Sequence, residues 1–192
     1  MRVRTVVFPA VVTLAVMSGL AFAQKTKTPE IFTANLNVAE SGGGAAAGTI
    51  QIEIKRYTPD ADRIAVEEAL KTGGYPAFLA ALRKAPQVGA VSVRDRQWPI
   101  RWARERSSGE YTRTIVVVTD QPMFFVGGGR VDAKPREGYE VAVIQMEVDN
   151  VGMGKGTMTA AARVKPGGET GVQIDDYAEA PIKLVTIVRK FQ

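Results

Sequence analysis

The densest group of residues that could do acid–base chemistry lies near the C-terminal end of the sequence. Asp175, Asp176 and Glu179 fall within five positions of one another, with Tyr177 among them. Paired carboxylates can act as general acid and base, and carboxylate oxygens can hold calcium. The regular oxygen-ligand spacing of a calcium loop is absent, however, and carboxylates in a loop are usually solvated. A carboxylate-dependent hydrolase acting through these three residues is therefore one alternative.

A second group of candidates is aromatic. Trp98 and Trp102 lie on one face of a predicted strand, Tyr111 lies in the next strand-like segment, and Phe124 and Phe125 follow in a loop-like stretch. These five residues could line a binding pocket for a small apolar ligand. Aromatic residues at strand spacing more often belong to a core or to cross-strand pairs, so both interpretations stay open.

The segment Gly152–Thr157 superficially resembles a phosphate-binding loop. Such a loop needs a glycine five positions before its lysine and a Ser or Thr directly after it, but Asn150 and Gly156 occupy those places. A strand-like pattern follows, where phosphate binding would need a helix. The segment is better interpreted as a hairpin turn.

The sequence contains neither histidine nor cysteine. These absences exclude a Ser–His–Asp triad, an imidazole base, histidine or thiolate metal ligands, a cysteine nucleophile and any disulfide. Carboxylate, lysine and tyrosine chemistry remain, but no pairing of such groups is visible from spacing. The sequence therefore favours a protein without catalytic activity, metal or cofactor.

The N-terminal residues have the pattern of a secretory signal peptide. Arg2 and Arg4 precede an apolar run over residues 6–20, and Ala21–Ala23 offers small residues at a cleavage site. The run is shorter than the roughly 20 residues that a membrane span needs. We therefore expect a signal peptide over residues 1–23, export to the periplasm or the medium, and no stable membrane insertion after cleavage.

Composition and charge indicate one domain that does not bind nucleic acid. Residues 24–192 are enough for a single domain with a real core. The net charge is +5, of which Arg2 and Arg4 supply two, and the remaining basic residues alternate with acidic ones. Nucleic acid is therefore not an expected partner.

Alternation of apolar and polar residues predicts strands through most of the chain. Ile50, Ile52 and Ile54 give the clearest example, because polar residues separate them. Comparable signals occur over residues 32–38, 91–93, 98–102, 111–118, 139–149, 157–165, 172–175 and 182–189. About eight strands of this kind predict a mostly antiparallel sheet, closed as a barrel or packed as a sandwich.

One region within this pattern is helical. Thr58 and Pro59 predict a helix start, Gly73–Gly74 an end, Tyr75–Pro76 a second start, and Pro86 the final stop. The apolar stripe that we expect to pack on the sheet is Ile64, Leu70, Phe78, Leu79 and Leu82. The predicted fold class is therefore α+β, with an inserted two-helix hairpin.

Four segments carry a family resemblance. Glu67–Val91, Ile100–Ala103, Thr119–Met123 and Asp175–Lys190 resemble a family of exported bacterial proteins of unknown function. The likeness covers nearly all of the chain after residue 23. It implies export and a single domain, and it transfers no catalytic or binding residue.

These observations lead to one expected function and two alternatives. We expect an exported, soluble, non-catalytic binding or interaction module of the cell envelope, whose unknown partner is either a protein or a small apolar ligand. The first alternative is a carrier that holds a small apolar ligand in a barrel or between sheet and helix. The second is the carboxylate-dependent hydrolase.

The signal-peptide hypothesis predicts the N-terminus of the mature protein. Cleavage after Ala23 would leave Gln24 as the first residue. N-terminal sequencing of protein purified from its native host should therefore begin at Gln24. Recovery of the chain with Met1 intact would contradict the hypothesis.

Overall fold

The computed structural model describes residues 28–37, 48–123, 134, 136–168 and 170–191. The predicted signal peptide lies outside these ranges. Within them the chain forms nine strands and one helix. Their bounds are β1 Glu30–Asn37, β2 Gly48–Ile54, α1 Asp60–Lys84, β3 Gly89–Val93, β4 Arg96–Ser107, β5 Thr112–Thr119, β6 Val141–Asp149, β7 Met153–Pro166, β8 Val172–Tyr177 and β9 Ile182–Lys190.

The strands form one antiparallel sheet that closes on itself. Strands β1 to β6 pair in sequence order, β7 pairs with β6 along one edge and with β9 along the other, and β9 returns to β1. In the described ranges this makes an eight-stranded barrel, with β8 as an extra strand on the second half of β7. The predicted mostly antiparallel sheet is confirmed, and of the two predicted closures the structure has the barrel.

The barrel interior is filled by apolar side chains. Ile50, Ile52 and Ile54 all point inward and are fully buried, as their alternation predicts. Other large, fully buried residues of the same core include Phe32, Ile100, Ile115, Met123, Ile144 and Met146. Eight strands enclose a space that side chains of this size can fill.

Glycines let β7 approach β6 inside the barrel. Gly154 and Gly156 alternate with outward-facing residues, and a Cβ at either position would collide with the β6 backbone at Glu147 or Gln145. Glycine in a strand often marks such a close approach or a tight bend. The glycine-rich segment that resembles a phosphate loop is thus a turn followed by a curved strand, as the hairpin interpretation predicts.

Helix α1 differs from the predicted hairpin. It runs as one element with a kink at Gly74, whose φ of 64° and ψ of −161° leave the helical region. The predicted break is confirmed at Gly74, so Asp60–Lys84 consists of two helical segments joined at a kink. In the described ranges, no helix combines the length and apolar composition needed to cross a membrane.

The start of α1 also differs from the prediction. Pro59 precedes the first helical residue, and no side chain caps the helix. The Thr58 hydroxyl instead accepts a hydrogen bond from Ala103 N at 2.8 Å, and Thr58 N donates to Ala103 O. Thr58 therefore fastens the chain to β4 before the helix begins.

The apolar side of α1 packs on the outer face of the barrel. Leu70, Phe78, Leu79 and Leu82 are buried as predicted. Ile64 is 55% exposed, so its predicted place in the stripe is wrong. The barrel residues beneath the helix include Trp102, Val116, Val118, Val143 and Ala162. This second core covers β4 to β8 on one side of the molecule.

A buried carboxylate fixes the first half of α1. Glu67 accepts hydrogen bonds from Arg63 Nη1 and from Arg104 Nη1, the latter at 3.1 Å, and Arg104 also donates to Thr170 O at 2.9 Å. Gly171 has a φ of 91° and leaves no room for a Cβ beside Glu67. The helix is thereby tied to β4 and to the β7–β8 turn.

The inward alternation of β2 gives a stability prediction. Replacing Ile52 with Ala removes a fully buried side chain and should lower the free energy of unfolding by about 2–5 kcal/mol. The matched control is Glu53→Ala on the opposite face of the strand, which should change it by less than about 0.5 kcal/mol. Chemical denaturation of both variants measures this, and equal losses would contradict the assigned faces.

Candidate functional site

The two tryptophans predicted to share one strand face lie on opposite sides of the barrel wall. Trp98 points into the interior, whereas Trp102 is buried outside it beneath α1. A bulge in β4 between Ile100 and Trp102 shifts the alternation and turns the second tryptophan outward. The predicted shared face is therefore wrong. Among the described residues, Trp102 Nε1 is one of few buried polar atoms without a hydrogen-bond partner.

The other aromatic candidates do not join them. Tyr111 lies in the β4–β5 turn, is 62% exposed and donates a hydrogen bond to the Glu110 carboxylate at 2.6 Å. Phe124 and Phe125 lie outside the described residues. The described candidates thus do not line a common pocket.

The predicted acidic residues are held by basic and hydroxyl partners along β7 and β8. Asp175 lies 3.2 Å from both Arg163 Nε and Lys165 Nζ. Asp176 accepts a hydrogen bond from the Tyr139 hydroxyl at 2.5 Å, and this bond is the main cause that lowers the pKa of its carboxyl group. Both carboxylates are engaged by cations, and Arg163 lies near each of them.

Glu179 stands apart from that pair, in the turn after β8. Partial burial raises the pKa of its carboxyl group. In the described part of the chain, no group of three or more acidic residues is arranged to hold a metal ion. The structure brings Asp175 and Asp176 to the same cation, Arg163, whereas Glu179 makes no ion pair with that cation among the described residues.

Several charged and hydroxyl side chains form a hydrogen-bonded cluster at one end of the barrel, which we call the barrel-end cluster. It consists of Glu30, Tyr57, Glu105, Arg113 and Arg189. Arg113 donates to Glu30 Oε1 at 2.6 Å and Oε2 at 3.0 Å, and to Glu105 Oε2 at 2.6 Å. The Tyr57 hydroxyl donates to Glu30 Oε2 at 2.7 Å, and Arg189 Nη1 to Glu30 Oε1 at 3.1 Å.

Glu30 is the centre of this cluster and is buried, with a side chain only 1% exposed. Burial by itself would raise the pKa of Glu30, but hydrogen bonds from Arg113 and Tyr57 and the charge of Arg113 outweigh it and lower the pKa. Burial is the largest cause that raises the pKa of the Tyr57 hydroxyl, and the nearby Glu30 charge adds to it. Glu30 is thus ionised and Tyr57 neutral at neutral pH.

The ion pairs and hydrogen bonds of the barrel-end cluster hold several strands of the barrel together. Its two carboxylates and two guanidiniums balance in charge, and the elements that they join are β1, β4, β5 and β9. A general acid or base needs a pKa near the working pH, and the shifts at Glu30 and Tyr57 move both groups away from it. The cluster therefore fastens one end of the barrel.

Sequence patterns contain a weak signal for this cluster. Glu30 is in phase with Phe32 along β1, and Arg113 is in phase with Ile115 along β5. A charged residue at an inward-facing position needs a partner, because an unpaired buried charge is costly. The phase alone could not show which of the many opposite charges supplies that partner.

A different part of the surface has exposed apolar side chains that α1 does not cover. It lies opposite the α1 side, on the outward faces of β1, β9 and the first half of β7, and we call it the exposed wall. Its residues are Ile31, Thr33, Asn35, Met153, Lys155, Thr157, Lys183, Val185, Val188 and Lys190. Val188 lies between Met153 on β7 and Thr33 on β1 in the strand register.

The backbone is strained at the centre of the exposed wall. Thr186 has a φ of 54°, a left-handed value that is unfavourable for a β-branched residue. It sits in a bulge that shifts the register of β9 against both β1 and β7. The bulge separates the outward-facing Val185 and Val188 by two residues. Strain of this kind costs on the order of 1–3 kcal/mol and concentrates at functional sites.

Comparison with known proteins does not supply a function. The chain matches no protein-family model, no curated protein and no solved structure. Its function must therefore be inferred from the arrangement of its own residues.

Removal of the Glu30 charge should destabilise the protein in a pH-dependent way. Glu30→Gln breaks a buried ion pair and should lower the free energy of unfolding by about 3 kcal/mol at pH 7. The folded pKa of Glu30 is below its ordinary value of 4.5, so its stabilisation is complete above that pH and is lost as the pH falls through the folded value.

The difference in the free energy of unfolding between wild type and Glu30→Gln should therefore become smaller below about pH 4. Urea unfolding across pH 3–7 would measure it, with Glu53→Gln on the outer face of β2 as the control. A constant difference across this range would contradict the assigned ionisation.

Proposed function

We propose that the protein is an exported, non-catalytic interaction module that binds a partner through the exposed wall. Export is inferred from the N-terminal sequence pattern. The observation that carries the binding proposal is the grouping of exposed apolar side chains on this surface. Val185, Val188 and Met153 are 39%, 37% and 54% exposed and lie on two paired strands.

Two further features support the exposed wall as the binding surface. Grouped apolar residues rimmed by polar ones mark interaction sites more often than scattered ones do. The strained Thr186 costs stability, and a strained residue of this kind is retained most readily where it serves a function. The apolar group and the bulge coincide on β9.

The alternative functions have less support. A carrier of a small apolar ligand would need space inside the barrel, where Phe32, Ile52 and Met146 are among the large side chains that fill it. A carboxylate-dependent hydrolase would need accessible acidic groups close together, but Asp175 and Asp176 are engaged by Arg163, Lys165 and Tyr139. The interaction module agrees best with both observations.

Site-specific photo-crosslinking tests the proposed surface. A benzophenone amino acid in place of Val188 should give a discrete adduct when the protein is irradiated with the envelope fraction of its native host. The matched control is Gln97, an exposed strand residue on β4, which is four strands from β9 in either direction around the barrel. Gln97 should give no such adduct.

Two results of the crosslinking at Val188 and Gln97 would contradict the proposal. Equal adducts from Val188 and Gln97 would indicate unspecific contact. No adduct from either position would show that the exposed wall has no partner in that fraction. Either result would contradict the proposed function.

A further inference from the structure

We infer that Met153 is a site of reversible oxidation by peroxides, and that its oxidation lowers the affinity of the exposed wall for its partner. The loss of affinity rests on the proposed function, whereas the oxidation itself does not. The inference depends on the exposure of this thioether, on its place beside Val188 and on the burial of the other described methionines.

Met153 differs from the other described methionines in its exposure. The sequence has six methionines and no cysteine, so thioethers are its only sulfur groups. Met123, Met146 and Met158 are fully buried in the barrel interior, whereas Met153 is 54% exposed. The remaining two lie outside the described residues. A dissolved oxidant therefore reaches Met153 in the folded protein, but it reaches the three core methionines only when the barrel opens.

The backbone around Met153 is fixed, although its side chain is exposed. Asp149 Oδ1 accepts hydrogen bonds from Val151 N at 3.0 Å and from Met153 N at 2.8 Å. Glycines occupy both neighbouring positions, Gly152 and Gly154, so no adjacent side chain along the sequence shields the sulfur. The backbone of Met153 is thus held in place on the exposed wall while the thioether stays open to solvent.

Oxidation by a peroxide needs no catalytic group of the protein. The sulfur lone pair of Met153 attacks one peroxide oxygen, so that an S–O bond forms and the O–O bond breaks. With hydrogen peroxide, the leaving hydroxide takes up the proton of the transferred oxygen and departs as water. The thioether loses two electrons to the peroxide and becomes a sulfoxide. Methionine sulfoxide reductases reverse the step with two electrons from a dithiol, and the oxygen leaves as water.

The sulfoxide would change the apolar centre of the exposed wall, because Met153 and Val188 are partners in the strand register. The S–O group is polar and accepts hydrogen bonds from water. A partner that covers this centre would have to remove that water, and burial of a polar group without a new hydrogen bond is unfavourable. Oxidation should therefore weaken binding and leave the barrel core intact, since Met153 is not part of that core.

Peptide mapping tests the oxidation separately from binding. The folded protein is treated with hydrogen peroxide at neutral pH, and mass spectrometry locates each added oxygen. Met153 should be oxidised at least about tenfold faster than Met123, Met146 or Met158, because only its sulfur is exposed. The control is the same treatment in urea, where unfolding should bring these rates together. Equal rates in the folded protein would overturn the inference.

A photo-crosslink tests the effect on binding. The benzophenone amino acid replaces Val185 here, because at Val188 it would lie beside Met153 and could react with it. The protein is oxidised, freed of peroxide and irradiated with the envelope fraction. The adduct yield should fall at least about fivefold, because the partner must now bury a polar group. Prior treatment of the oxidised protein with methionine sulfoxide reductases and a dithiol should restore the yield.

Two variants at the same position are the matched controls. Met153→Leu keeps a similar apolar volume but has no sulfur, so its adduct yield should be the same before and after peroxide treatment. Met153→Gln has a polar group on a side chain of similar length and should give a low yield without any peroxide. Thermal unfolding of both variants should match that of the wild type, because the position lies on the surface.

The outcomes separate this inference from the proposed function. A yield unchanged by selective oxidation of Met153, or a yield that falls equally in peroxide-treated Met153→Leu, would overturn the inference and leave the interaction module in place. No adduct at Val185 or Val188 in the untreated protein would instead refute the proposed function, and the inferred loss of affinity with it.

Discussion

Closure of the sheet through β7 is the constraint on which the rest of the structure depends. This strand pairs with β6 along one edge, and along the other with β9 and then β8. An open sheet would leave unpaired backbone groups along β6 and β9, whereas closure satisfies them in a continuous ladder. The inward glycines Gly154 and Gly156 make the tight curvature possible.

Closure also creates the barrel-end cluster, because it brings the first and last strands together. Glu30 begins β1 and Arg189 lies near the end of β9, 159 residues apart along the chain. Arg113 reaches the same carboxylate from the far side of the interior. Buried ion pairs contribute uncertain net stability, since desolvation offsets their attraction. Their clearest effect here is to favour one strand register at this end over alternatives that would leave charges unpaired.

Local patterns predicted the strands and their inward faces, and they failed where tertiary contacts override local geometry. The alternation of Ile50, Ile52 and Ile54 correctly identified both β2 and the core. Trp102 was misplaced because a bulge changes the phase by one residue without any signal in composition. The Gly73–Gly74 pair correctly marked a break, yet spacing could not tell a kink from a hairpin. The partners of Glu30 depend on closure, and no pattern within one strand contains that information.

The two sides of the barrel differ in what a partner could use. Among the described strands, β8 alone has an edge without a strand neighbour, and such edges invite added strands. A bulge opposite Arg163 and the adjacent Asp175 and Asp176 discourage strand addition there. On the exposed wall the backbone of β9 is paired on both sides, so only side chains are available for recognition. The proposed binding by the convex wall would therefore use side chains alone, against a flat or concave partner surface.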